Sequence, residues 1–194
     1  MSIIRSRGLS FRKKRKKVTI SGAKSALLLG FEIVVVLFIS FVIVYFAGMK
    51  VTVVGGSMES SLLDGDTVLV NRLTYSLSEP KSGDVIVFLP NGNEKSHYYV
   101  KRVVGVPGDK VQIIDGMVYV NGEMFGENSL EEIRNPGLAE EAILVGDEEY
   151  FVLGDNVNNS EDSRYANIGN VKKEYITGKA WFQYRSLRHM GRVH

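Results

Sequence analysis

One uninterrupted apolar segment, residues 26–48, constrains this chain more than any other feature. Glu32 is the single charged residue within it. An α-helix rises about 1.5 Å per residue and the hydrocarbon core of a bilayer is about 30 Å thick, so about 20 apolar residues span it. The segment therefore predicts a transmembrane helix. Because a carboxylate is costly at the bilayer centre, we expect Glu32 near the cytoplasmic headgroups or against a partner.

Basic residues precede this segment and predict its orientation. Residues 1–49 hold nine of the 24 Lys and Arg residues but one of the 22 Asp and Glu residues. Basic flanks stay on the cytoplasmic side of a membrane. We therefore expect residues 1–25 to form a basic cytoplasmic arm that contacts lipid, and residues 49–194 to lie outside the cytoplasm. A nucleic-acid partner is not expected, because orientation and contact with anionic lipid explain a basic run beside a spanning helix.

A cleavable signal peptide is the alternative interpretation of the same segment. The apolar core of such a peptide is about 7 to 15 residues long, which is shorter than the run in this chain. Cleavage after Ala47 would also require a small residue where Tyr45 stands. We therefore expect a retained, single-pass anchor in the cell membrane.

Short β-prone runs separated by turn residues replace the apolar segment after residue 49. They predict a mainly β domain at residues 49–194, with a small insertion around residues 112–148. Short helical pieces are expected at most at residues 60–63 and 129–141. The predicted strands are residues 51–54, 67–71, 84–89, 98–105, 110–114, 117–120, 150–153 and 177–184.

Two-residue turn signals support this interpretation. An Asp-Gly pair at 115–116 stands between two apolar runs and predicts a tight hairpin. Asn-Gly pairs that begin at 91 and 121 predict further turns.

The absence of cysteine excludes disulfide scaffolds, zinc–thiolate sites, iron–sulfur clusters and a cysteine nucleophile. The three histidines, His97, His189 and His194, are too few to predict a histidine metal centre. We therefore expect neither a metal nor an organic cofactor.

Ser57 is the first candidate for chemistry. It follows the apolar run 51–54 through Gly55 and Gly56, a sharp exit that would expose its hydroxyl and its backbone amide. Serine is a poor nucleophile at its own pKa and needs a neighbouring base. An ordinary turn serine is the alternative interpretation.

Lys101 is the candidate base. Both faces of its predicted strand are largely apolar, with Tyr99 and Val103 on its own side. Burial would lower the pKa of the ammonium and make the neutral amine accessible near pH 7. His97 is expected to be a partly exposed loop residue instead. A strand lysine that reaches solvent or pairs with an acid is the alternative.

A polar segment at residues 154–164 follows the predicted strand 150–153. Its density of Asn, Asp and Ser suits a hydrogen-bonded loop, in which Asp162 and Arg164 are placed to form an ion pair. A polar turn with no part in catalysis is the alternative.

Four segments together resemble the type I signal peptidases of the bacterial, Gram-positive kind, which use a Ser/Lys dyad and a single N-terminal membrane anchor. They are GGSMESSL at 55–62, GDVIVF at 83–88, YVKRVVGVPGD at 99–109 and GDNVNNSEDSR at 154–164. The resemblance implies a mainly β catalytic domain like those of signal peptidases and repressor proteases. It also implies a membrane-anchored serine endopeptidase.

The resemblance assigns a role to each matching residue. Ser57 is implied as the nucleophile, with its backbone amide in the oxyanion hole, and Lys101 as the general base. Ser160 is implied to orient the lysine amine, with the remaining residues bracing the site or contacting substrate. The implied bracing residues are Asp162, Arg164, Asp155 and Arg102, and the expected substrate contacts are Val53, Val54, Gly55, Met58 and Tyr99.

Secretory preproteins are the expected substrates, cut after small-x-small sites such as Ala-X-Ala. The precursor is expected to lie extended beside residues 51–54 and 98–101, with small side chains in shallow apolar pockets. An apolar rim around Met58 is expected to rest on the lipid surface. Membrane lipid and the secretion machinery are therefore expected as further partners.

Three positions depart from the family pattern. Gly55 stands where some relatives carry an oxyanion-hole serine, Ser60 and Ser61 stand where Pro-Thr is usual, and Val157 replaces an arginine. Proline would rigidify the turn after the nucleophile, since it fixes φ. We therefore hypothesise a specialised peptidase with few clients, such as precursors of surface-structure subunits.

Two other functions remain as alternatives at this stage. A self-cleaving repressor-type protease shares the Ser/Lys chemistry, but it carries a DNA-binding domain where this chain has an apolar span. A noncatalytic assembly factor or chaperone for a surface structure would keep the fold without cutting.

Overall fold

A computed structural model describes residues 20–126, 131–186 and 189–193 of the chain. The chain divides between Val44 and Tyr45 into two compact units. The basic residues 5–17 of the predicted arm lie outside the described residues.

The first unit consists of most of a 28-residue α-helix, α1 (Ile20–Ala47). Its stretch Lys24–Val42 has a mean hydropathy of 2.5 and none of it is buried against protein, so it is long and apolar enough to cross a membrane. The prediction of an apolar N-terminal helix is confirmed. The helix ends at Ala47, and Gly48 begins the first strand.

The second unit is mainly β, as predicted, and contains two antiparallel sheets. A single helical turn, α2 (Thr74–Leu77), lies outside them. The strands are β1 (Gly48–Thr52), β2 (Thr67–Asn71), β3 (Val85–Phe88), β4 (Tyr99–Gly105), β5 (Lys110–Ile114), β6 (Met117–Val120), β7 (Glu123–Met124), β8 (Ile143–Leu144), β9 (Glu149–Leu153), β10 (Val171–Lys172), β11 (Ile176–Ser186) and β12 (His189–Arg192).

The larger sheet has the strand order β1-β2-β11-β3-β4-β9-β10, with β12 paired to the free part of β11. Its central strands are buried on both faces, which explains their nearly continuous apolar sequences. In β3, Val85 and Val87 join one hydrophobic cluster while Ile86 and Phe88 join another. Strand β1 lies at the edge of the sheet, and among the described residues it pairs with β2 alone.

The smaller sheet has the order β7-β6-β5-β8 and occupies most of the insertion expected around residues 112–148. Asp115 and Gly116 join β5 to β6 with positive φ angles of 48° and 75°, the backbone signs of a type I′ hairpin turn. The hairpin prediction is therefore confirmed.

All eight predicted strands are present, and three of them have the predicted bounds. The four strands that were not predicted, β7, β8, β10 and β12, have two to four residues each. Three of the four have only two residues, too few side chains to show the alternation that marks a strand, and β12 (HMGR) contains no apolar run. The helix α2 was also missed, because one helical turn has no periodicity to detect.

Of the two short helical segments predicted in this domain, only the second contains a helix. Residues 60 and 61 lie in a hydrogen-bonded turn, and residues 62 and 63 are not helical either. In the second segment, a short 3₁₀ helix covers Gly137–Glu140 after Pro136. Residues 129 and 130 of that prediction lie outside the described residues.

Met58 itself does not belong to an exposed apolar rim, although Val54 and Leu63 near it in the chain are exposed. The side chain of Met58 is 0% exposed and packs in the cluster that also holds Leu62 and Val53. The amide of Leu62 donates to the carbonyl of Met58 at 2.7 Å, so the two side chains, four residues apart, point to the same side of the turn. Met58 therefore anchors this turn to the core.

Candidate active site

Two side chains 44 residues apart, Ser57 and Lys101, meet at the centre of the candidate site. The Nζ atom of Lys101 lies 2.7 Å from the Oγ atom of Ser57, which is hydrogen-bond distance. Strand β4 presents the lysine opposite Ile86 of β3, and the turn after β1 presents the serine. The arrangement gives the hydroxyl a base within reach of its proton.

Burial changes the acid–base behaviour of Lys101. The residue is 4% exposed. Desolvation is the largest influence and lowers the pKa of its ammonium to about 8. The carboxylates of Asp162 and Glu161 oppose this shift because they favour the charged form, whereas Arg164 lowers the pKa further. A lysine with a pKa of about 8 is half neutral at that pH, so its amine is available as a base.

Asn156 holds the turn that carries Ser57 from two directions. Its backbone amide donates to the carbonyl of Ser57 at 3.1 Å, and its side-chain amide donates to the carbonyl of Gly56 at 3.0 Å. The same side-chain nitrogen lies 3.2 Å from a carboxylate oxygen of Glu59. The sequence analysis did not single out Asn156, because no local pattern predicts contacts between residues 97 to 100 positions apart.

Gly154 allows the polar segment to pass close to Ser57. A Cβ atom at this position would collide with the Ser57 carbonyl oxygen and with the hydroxyl of Ser160. The Ser160 hydroxyl is itself buried and has no hydrogen-bond partner among the described residues. Its expected role in orienting the amine of Lys101 is therefore not visible as a hydrogen bond in this structure.

Arg102 and Asp155 form a two-point ion pair beside the dyad. The arginine Nε and Nη2 atoms each lie 2.7 Å from a different oxygen of the Asp155 carboxylate. Nη1 donates to the carbonyl of Gly83, and Nη2 lies 3.3 Å from the hydroxyl of Ser61. The pair thus links β4, which carries Lys101, to the turn that carries Ser57.

Asp162 and Arg164 form a second ion pair, and both side chains are almost fully buried. The guanidinium contacts both carboxylate oxygens, at 2.8 and 3.0 Å, and also donates to the carbonyls of Asn135 and Val157. One oxygen of Asp162 accepts the amide of Gly154 at 3.2 Å. Buried charges are stable only when their hydrogen bonds are completed in this way.

A cleft of about 270 Å³ opens at the dyad. The expected substrate contacts Val53, Val54 and Tyr99 line it, whereas Gly55 does not and Met58 is buried in the core. The other residues that line the cleft are Ser57, His97, Tyr98, Val100, Lys101 and Glu161. His97 lies in a loop and is exposed, close to what the sequence predicts.

Ser60 adopts a backbone conformation that is unusual for a residue with a side chain. Its φ angle is 93°, outside the regions that are open to non-glycine residues. Proline has φ fixed near −65° and cannot adopt this geometry. The Pro-Thr pattern of the family and the turn seen in this chain are therefore incompatible at position 60.

A serine hydroxyl held against a buried lysine amine defines a candidate serine peptidase site. A family model described as "Signal peptidase, peptidase S26" matches residues 26–185. Signal peptidase I P of Bacillus subtilis subsp. natto is 32% identical over 92% of this chain and 97% of its own length. Signal peptidase IB of Staphylococcus aureus strain Mu50 is 33% identical over 79% of this chain and 88% of its own length.

A probable signal peptidase I-2 of Synechocystis sp. is 36% identical over 70% of this chain. The aligned part spans 62% of that relative's length. The chain belongs to the signal peptidase family, peptidase S26, and is a serine protease of the hydrolase class. The predicted family and enzyme class are thus confirmed.

The geometry at Ser60 predicts opposite effects for two substitutions. Ser60→Gly relieves the positive φ angle and should leave kcat/KM close to wild type, with a melting temperature that is unchanged or higher. Ser60→Pro forces the turn into another conformation and should lower kcat/KM at least about tenfold through displacement of Ser57. Steady-state cleavage of one peptide by both variants in detergent measures this. Full activity of Ser60→Pro would contradict the turn geometry.

Proposed function

We propose that this chain removes N-terminal signal peptides from exported precursors, with Ser57 as nucleophile and Lys101 as general base. The observation that carries the proposal is the 2.7 Å contact between the serine hydroxyl and a lysine amine that is 4% exposed. Membership of the signal peptidase family and relatives named signal peptidase I support the substrate class.

The reaction begins with proton transfer. The neutral amine of Lys101 accepts the proton of the Ser57 hydroxyl as its oxygen attacks the scissile carbonyl. In the described residues the backbone amide of Ser57 has no hydrogen-bond acceptor, so it is available to stabilise the oxyanion. Lys101 then protonates the leaving amine. The fragment after the cut then leaves, and the amine of Lys101, again neutral, activates a water molecule that hydrolyses the acyl-enzyme and releases the fragment before the cut.

Substrate binding uses the apolar end of the cleft. Val53 follows β1, at the edge of the larger sheet, and Tyr98 precedes β4, so an extended precursor segment can lie between them. A cleft of about 270 Å³ bounded by valines suits side chains of alanine size. This supports cleavage after small-x-small sites.

The apolar helix α1 anchors the protein in the membrane. The apolar stretch Lys24–Val42 crosses the cell membrane once, and the basic residues before it hold the N-terminus in the cytoplasm. The catalytic domain then faces the outside, where exported precursors emerge. Membrane lipid and the secretion machinery are the corresponding partners.

Removing either member of the dyad should abolish cleavage. Ser57→Ala lacks the attacking oxygen and Lys101→Met lacks the base, so each should lower kcat by about 10⁴-fold or more. Lys95→Met, at an exposed loop lysine outside the cleft, is the matched control and should retain activity. Purified full-length protein in detergent and a precursor with an Ala-X-Ala site provide the assay. Cleavage by Lys101→Met at near wild-type rate would refute the role of the lysine.

The lowered pKa of Lys101 predicts a pH profile. The reactive species is the neutral amine, which is the form that prevails above the pKa of about 8. Below pH 8, kcat/KM should therefore rise about tenfold per pH unit and level off above it. Initial rates on one peptide between pH 6 and 10 measure the profile. A rate that does not change across this range would exclude a lysine base.

The changes at positions 60 and 61 support a peptidase with few clients. The turn at Ser60 differs from one that contains proline, and the hydroxyl of Ser61 contacts Arg102. We expect a panel of secretory precursors to divide into a small group that is cut efficiently and a larger group that is cut slowly. Processing of the whole panel at similar rates would contradict specialisation while leaving the peptidase assignment intact.

A further inference from the structure

Glu161 places a fixed carboxylate in the lining of the catalytic cleft. One of its oxygens accepts the hydroxyl of Tyr99 at 2.9 Å and the other accepts the side-chain amide of Asn167 at 2.5 Å. Both donors are neutral, so they orient the carboxylate without cancelling its charge. Within the described residues no lysine or arginine forms an ion pair with Glu161.

Two other carboxylates that act on Lys101, Asp155 and Asp162, are neutralised, whereas Glu59 beside Ser57 contacts the Asn156 amide and forms no ion pair among the described residues. Asp155 is paired with Arg102, and Asp162 is paired with Arg164. Among the described residues that line the cleft, Glu161 is the single acidic one. When Lys101 is in its reactive, uncharged form, the cleft therefore presents one negative charge to the substrate, with His97 as its remaining basic side chain.

We propose that Glu161 makes this peptidase favour precursors that carry lysine or arginine beside the scissile bond. The inference rests on the proposed function and names a feature of its substrates. Small residues one and three positions before the cut occupy the apolar part of the cleft. Because alternate side chains of an extended segment point in opposite directions, the cation is expected at an intervening position or just after the cut.

The strength of the attraction between Glu161 and a substrate cation sets the size of the expected preference. Glu161 is exposed, so water and salt screen its attraction for a substrate cation. Exposed ion pairs of this kind change an equilibrium by about two- to fivefold. Tyr99 and Asn167 already orient the carboxylate, so it loses little freedom when substrate binds. We therefore expect a preference at the upper end of this two- to fivefold range.

Glu161→Gln is a sharp probe because it removes the charge and keeps the shape. A glutamine carbonyl oxygen can still accept the hydroxyl of Tyr99, whose ring centroid lies 5.5 Å from the Nζ atom of Lys101. The packing around Lys101 is thereby preserved, while the loss of the Glu161 charge removes one of the influences that favour the protonated amine and changes the rate equally for every peptide. Glu94→Gln is the matched control, since this exposed glutamate does not line the catalytic cleft.

The test uses the full-length protein in detergent and three Ala-X-Ala peptides that differ at one position, which carries Lys, Gln or Glu. The position is moved in turn through the residues around the cut. At low salt, the wild type should cleave the Lys peptide about two- to fivefold more efficiently than the Gln peptide at one or more positions, with the Glu peptide slowest. The preference should vanish in Glu161→Gln, persist in Glu94→Gln and weaken as salt increases.

Each other outcome has a distinct meaning. Equal kcat/KM for the three peptides at every position overturns the inference while the proposed function stands. A preference for the Lys peptide that survives in Glu161→Gln also overturns the inference. The inference is likewise overturned if Glu161→Gln changes kcat/KM by the same factor for all three peptides, because Glu161 would then act only through Lys101. No cleavage of any peptide by the wild type rejects the proposed function, and the inference with it.

Discussion

The removal of one ammonium group from water is the constraint on which the rest of the site depends. A solvated lysine is charged at neutral pH and cannot accept a proton from serine, whereas burial lowers the pKa of Lys101 to about 8. That burial requires a strand with apolar packing on both faces, which β4 obtains from its place inside the larger sheet. The sheet therefore sets the basicity of Lys101 as well as its position.

Charge pairing around Lys101 serves the same requirement. An unpaired buried carboxylate would attract a proton to the amine and keep it charged. The two carboxylates of the polar segment that are buried, Asp155 and Asp162, are each bound by an arginine through two contacts. Both arginines neutralise these carboxylates. Arg102 also links the polar segment to β4, and Arg164 also donates to a backbone carbonyl within the polar segment. Glu161 remains unpaired by a cation among the described residues and faces the cleft.

Sequence reasoning succeeded where the signal is local. The apolar helix, the eight predicted strands and the Asp-Gly hairpin follow from hydrophobic runs and turn residues, which act over a few positions. It failed for the three two-residue strands, for β12 and for Met58, whose direction depends on how the turn folds back on the core. The contacts of Asn156 with the turn that carries Ser57 were also out of reach, because sequence spacing carries no information on a partner about 100 residues away.

The sequence by itself determined that an apolar helix precedes a mainly β domain, and which serine and lysine match the family pattern. Local periodicity is sufficient for the helix and the strands, and the resemblance of four segments to the family is sufficient for the serine and the lysine. Only the tertiary structure decided that the Ser57 and Lys101 side chains lie 2.7 Å apart, that Ser60 has a φ angle of 93° and that Glu161 faces the cleft. These features arise from the packing of segments distant in the chain, and packing depends on all of the strands at once.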